Sequence, residues 1–233
     1  MKYLLRSVMF IILGIVCVSA QELFITIKVD STGTGSGSMG KGTGYAILSN
    51  DMKSIRYRIT VNNLKGNLTA AHFHYKPTGG VLHEIAFTGK TAIGTWSDIP
   101  DSLINAFFKD NLYVNIHTST NAGGEVRGQL DVEQFGFPID INGANAGTSS
   151  AGMGTAYAFF DKDYDTSSIS EIYYRATFEG LTGKITGAHF HELPGGGVIH
   201  PISFTESGLI IHKLPSVSKF HRILKSYSGN AIS

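Results

Sequence analysis

The chain has 233 residues, with 19 basic and 18 acidic side chains, 42% hydrophobic content and a single cysteine. A formal charge of +1 without any basic run argues against nucleic acid or an anionic membrane as a partner, because both are held by clustered Lys and Arg. One cysteine excludes a disulfide framework, so the fold has to rest on buried apolar surface.

Residues 1–20 have the pattern of a secretory leader. Lys2 and Arg6 form a basic start, residues 8–18 are apolar, and Val18-Ser19-Ala20 supplies small residues for cleavage. Cleavage after Ala20 predicts a secreted or periplasmic protein that begins at Gln21. Cys17 leaves with the leader, and losing Lys2 and Arg6 takes the charge to −1. No second apolar run is long enough for a membrane span, so none is expected after cleavage.

The mature chain is a succession of short β-type segments. Residues 23–29 alternate apolar and polar. Residues 33–44 are rich in Gly, Ser and Thr, which predicts a flexible hairpin loop. Strands are then expected at 44–48, 54–61, 71–74, 82–87, 112–118 and 125–132, with a short helix at 102–109 and Trp96 in the core. Asn121-Ala122-Gly123-Gly124 reads as a turn whose glycines permit positive φ. Glu125 and Arg127 share a strand face and are expected to make a surface ion pair. Strands at this spacing, separated by turn residues, predict an all-β chain built as an antiparallel β-sandwich or barrel.

The chain also repeats itself. Ala71-His72-Phe73-His74 returns 117 positions later as Ala188-His189-Phe190-His191, and Tyr57, Arg58 and His83 map to Tyr174, Arg175 and His200. Upstream the offset is 112, with Gly42-Thr43-Gly44-Tyr45 matching Gly154-Thr155-Ala156-Tyr157. The difference places extra residues in a longer loop near 161–168. Two tandem sandwich domains are expected, 21–133 and 134–233, joined by a short junction at 133–138. The counterpart of His117 would fall at position 234, so the second domain is expected to be incomplete. The strand edge left open there offers a route to a homodimer by strand exchange.

Successive side chains on a strand alternate between faces. His72 and His74 therefore project opposite to Ala71 and Phe73. Tyr113, Asn115 and His117 project opposite to Val114 and Ile116. With the apolar sets in the core, the histidines lie outside, and neighbouring strands would bring His72, His74 and His117 together. Three imidazoles with an open position suit copper or zinc. His83 is a candidate fourth ligand or supporting partner. The second copy offers His189, His191 and His200.

The segments LKGNLTAAHFHYKPTGGVLHEIAF, GTWSDI and NLYVNIHTSTNAGGEVRGQL resemble the CHRD domain over residues 28–132. A second, shorter resemblance covers 143–233 and lacks the YVNxHT strand. The resemblance implies an extracellular, non-catalytic binding or surface-associated module, with an extracellular protein or glycan as partner. The chain is also similar to copper/zinc superoxide dismutase, in which His72, His74, His117 and residues 121–124 would correspond to the copper ligands and the following turn. His83 would stand for the imidazole that bridges the two metals there. That likeness implies copper binding or redox chemistry. The first copy departs from it in having no further histidines for a zinc site and no cysteine.

Overall fold

The computed structural model describes residues 22–133, 136–160, 171–191, 197–204 and 210–215. The leader, the longer loop near 161–168 and the expected truncation point lie outside the described residues.

Alternating strands dominate the first part of the chain: β1 (Leu23–Asp30), β2 (Lys41–Leu48), β3 (Ile55–Asn62), β4 (Leu68–Tyr75), β5 (Gly80–Glu84), β6 (Phe87–Thr88) and β7 (Thr91–Trp96). A short helix α1 (Asp101–Phe108) precedes β8 (Leu112–Thr118) and β9 (Asn121–Glu133). These strands form one nine-stranded sheet in the order β5-β4-β8-β9-β1-β2-β3-β7-β6, with every neighbouring pair antiparallel.

The alternation explains how the sheet makes a core. Ile25, Ile27 and Val29 of β1, Ile55, Ile59 and Val61 of β3, and Val114 and Ile116 of β8 are all fully buried. Each such side chain contributes roughly 1.5–3 kcal/mol of burial. The sheet curls so that strands remote in the strand order meet across this core. Phe73 of β4 meets Tyr57 of β3 edge-on, with centroids 5.2 Å apart, and stacks on Trp96 of β7 at 5.5 Å. Curling of a single sheet thus supplies both layers. Helix α1 covers one part of the core, with Phe107 buried and Phe108 half exposed.

Two expectations need correction. The 33–44 segment is not a free loop. Residues 41–44 belong to β2, and the rest is fastened to Glu125: Thr34 Oγ1 and Ser36 Oγ donate to its backbone carbonyl at 3.0 and 2.7 Å, and Ser38 Oγ donates to its carboxylate at 2.5 Å. Glu125 is likewise no surface partner of Arg127, because it is 0% exposed. Its carboxylate also accepts from Thr118 Oγ1 and from the backbone N–H groups of Lys65 and Gly66. A carboxylate taken fully out of water requires such donors.

A second sheet follows, built from β10 (Gly136–Asn142), β11 (Met153–Phe160), β12 (Glu171–Glu179) and β15 (Ile210–Pro215) in the order β10-β11-β12-β15, with β13 (His189–His191) and β14 (Val198–Pro201) as a separate hairpin. Its registers parallel the first sheet. Tyr45 faces Arg58 across β2 and β3, and Tyr157 faces Arg175 across β11 and β12. Beside β12, β15 occupies the position that β7 occupies beside β3. The second sheet packs on the outer side of the first, where Thr43 meets Thr177 and Thr60 meets Thr155.

Candidate metal centre

Strands β4 and β8 are neighbours, and their register sets His72 opposite Asn115 and His74 opposite Tyr113, with His117 opposite Ala70. Ala71, Phe73, Val114 and Ile116 are all 0% exposed, so the alternate residues project from the other face as the pattern requires. His72, His74 and His117 converge there, and one nitrogen from each lies within 4.8 Å of the others. His72 Nδ1 is 3.3 Å from His117 Nε2. That is about the separation expected of two nitrogens that bind one ion at ~2 Å.

The surroundings select which nitrogen each ring presents. His117 Nδ1 donates to the Ala122 carbonyl at 2.7 Å, and His74 Nδ1 donates to the Gly79 carbonyl at 3.0 Å. Both bonds fix the tautomer with its lone pair on Nε2, the form a metal needs. His74 Nε2 is buried and has no hydrogen-bond partner. An orphaned acceptor of this kind costs about 1–3 kcal/mol, and a cation placed between the three rings would satisfy it. Burial, followed by the neighbouring His117 and His74, holds His72 below its ordinary pKa and keeps its ring neutral at neutral pH.

The cluster is less open than an outer sheet face suggests. His74 is only 6% exposed, while His72 and His117 are half-buried. Tyr113 accounts for the difference: its ring stacks on His74 at 5.0 Å and 14°, and the Arg127 guanidinium lies 4.5 Å from its centroid. Asn115 Nδ2 donates to the Gly123 carbonyl at 3.1 Å and sits 3.4 Å from His117 Nε2. The alternation signalled Tyr113 and Asn115, which share the His117 face. Nothing in the sequence signalled the carbonyls of Gly79 and Ala122.

The turn that carries Ala122 depends on Gly124. Its φ is +119°, and a Cβ there would lie 2.2 Å from Asn115 Oδ1. Gly124→Ala is therefore expected to cost about 2 kcal/mol through backbone strain and to displace Asn115. Thermal unfolding checks the first effect, and a weakened metal complex the second.

The other candidate histidines are placed differently. His83 pairs in register with Phe73, and its ring therefore turns to the core side, stacking on Trp96 at 5.4 Å and 10°. It belongs neither to the three-histidine group nor to a bridging position beside it. The cause is parity: β5 meets β4 across a bulge at Phe73/His74, and the bulge decides which face His83 takes. His189 and His191 lie with their rings 5.8 Å apart and are exposed. His200 is set opposite Phe190, on the other face. Among the described residues, only His72, His74 and His117 form a cluster of three candidate ligands.

Residues 25–130 match the family model of the CHRD domain. This part of the chain is similar to the CHRD domain. The match takes in nearly all of the nine-stranded sheet and all three clustered histidines, and it ends before β10. No curated protein matches the chain. Among the described residues no helix is long and apolar enough to cross a membrane.

Proposed function

We propose that this is an exported, non-catalytic CHRD-type binding module whose binding chemistry is coordination of a copper or zinc ion by His72, His74 and His117. One observation carries the reading: the buried Nε2 of His74 has no hydrogen-bond partner, and His74 lies in one cluster of candidate ligands with His72 and His117. Export rests on the leader-like residues 1–20, and the expected partner is an extracellular protein or glycan. The half-exposed rims of His72 and His117 leave a side through which such a partner could supply a further ligand.

A copper redox role is the second reading. The same open side favours it, because a reactant has to reach the ion. The placement of His83 on the face opposite the three histidines, against Trp96, favours a single ion over a bridged pair.

The test is metal loading of the chain without residues 1–20, stripped by chelator and exposed to one equivalent of Cu(II) or Zn(II). One ion per chain is expected; retention below about 0.1 per chain would remove the proposal, since a three-imidazole site holds its ion through desalting. If copper is retained but does not cycle on adding ascorbate and then oxygen, the redox reading fails and the binding reading stands.

A further inference from the structure

The contact between the two sheets is reciprocal. Thr43 meets Thr177 at 2.7 Å, and Thr60 meets Thr155 at 2.8 Å. Arg58 Nε donates to the Gly154 carbonyl at 3.1 Å, and Arg175 Nε donates to the Gly42 carbonyl at 3.0 Å. Under the sequence offsets of 112 and 117, Thr43 corresponds to Thr155, Thr60 to Thr177, Gly42 to Gly154 and Arg58 to Arg175. Each contact thus maps onto its mate when the two sheets are exchanged. The four threonines form a square: Thr43 faces Thr60 across β2 and β3, Thr155 faces Thr177 across β11 and β12, and the two pairs bond to one another. All four are buried, and so are both arginines. This is the pattern of a two-fold interface, in which one patch meets its own equivalent, contained here within one chain.

We infer that the outer face of β2 and β3 is a self-complementary pairing surface, and that its partner besides the second sheet is the same face of a second copy of this chain. Substituting one β2–β3 face for the β11–β12 face changes no residue type at the centre. Both threonine contacts become Thr43 to Thr60 of the other chain, and both arginine bonds become Arg58 to the Gly42 carbonyl of the other chain. Only the rim changes. Tyr45 Oη donates to Asp140 Oδ1 at 2.7 Å, and by the 112 offset the counterpart of Asp140 is Lys28. Central identity with rim differences makes pairing between chains feasible and favours pairing within one. The second sheet follows β9 closely, with Glu133 ending β9 and Gly136 starting β10, so it competes at an effective concentration of about 1 mM or more. Pairing between chains is therefore a minority state to be trapped covalently.

The chain without residues 1–20 has no cysteine, which permits a clean trap. Two single variants, Thr43→Cys and Thr60→Cys, are mixed near 1 mM, carried through mild urea and back, and oxidised with glutathione disulfide. A disulfide-linked dimer at least about five-fold above that of either variant alone is expected, because only the two-fold arrangement sets position 43 of one chain against position 60 of another. The double variant Thr43→Cys/Thr177→Cys is the companion measurement and should close within one chain. If the double variant closes but the mixture gives no excess dimer, the surface is not self-complementary and the inference fails. If the double variant does not close, the reciprocal contact itself is wrong and the inference fails with it. Neither position touches the histidine cluster, so failure here leaves the metal proposal intact, and failure of metal loading leaves this one intact.

Discussion

Replacing Glu125 by alanine is expected to destabilise the first sheet by about 4 kcal/mol or more, the range reserved for breaking a buried polar network. The carboxylate gathers Ser38, Thr118 and the backbone N–H groups of Lys65 and Gly66, and Asn121 Nδ2 lies at 3.4 Å. Its removal strands the buried hydroxyls of Ser38 and Thr118, each costing about 1–3 kcal/mol, and opens a cavity where the residue is fully enclosed. It also frees the 31–40 loop from the β8–β9 turn, the turn that supplies the carbonyl holding His117. Chemical denaturation of the two proteins measures the difference.

The same residue sets an acid limit. Burial alone would raise its pKa, but the hydrogen bonds from Ser38, Thr118, Lys65 and Gly66 outweigh burial and bring it down to about 2 from its ordinary 4.5. With the folded value below the unfolded one, the stabilisation is fully present above pH 4.5 and is lost as pH falls from there towards 2. Glu125→Gln should flatten that limb of the stability–pH curve. It should cost less than alanine, because the amide keeps one acceptor oxygen for the same donors.

His74→Ala is expected to weaken copper or zinc binding by more than about 100-fold, beyond the 10–100-fold typical of losing a supporting group. Loss of the apo fold is not expected to accompany it. Truncation removes a ring stacked on Tyr113, which costs packing, and also removes the orphaned Nε2, which returns part of that cost. The contrast appears in melting experiments. Wild-type protein at a thousandfold excess of metal over Kd gains about 4 kcal/mol, whereas the variant gains almost none. A variant with wild-type affinity would show that the three-ring geometry is not the binding site.

The geometry of the three histidines was legible because it needs only alternation and adjacency. Ala71 and Phe73 mark the buried face of β4, Val114 and Ile116 that of β8, and each ligand sits one position away. His83 was not legible, because its face depends on a bulge and no residue pattern announces where a ladder slips. Glu125 was misread for a related reason. Its place beside Arg127 on a strand suggested a solvent-facing pair, but the Ser/Thr-rich segment that buries it lies nearly ninety residues earlier in the chain. The curl of one sheet into two layers also escaped, since alternation fixes faces and says nothing about curvature. The likeness between the halves of the chain was visible as sequence; that they meet through equivalent residues required coordinates.

Trp96 is the only tryptophan in the chain, and it lies in the first sheet against Phe73 and His83. Its fluorescence will therefore report melting of that half alone. The second sheet, whose aromatic rings are tyrosines and phenylalanines, would come apart unseen by this probe. A fluorescence midpoint that disagrees with one from far-ultraviolet circular dichroism would then mark two separate transitions, and agreement would mark halves that unravel together.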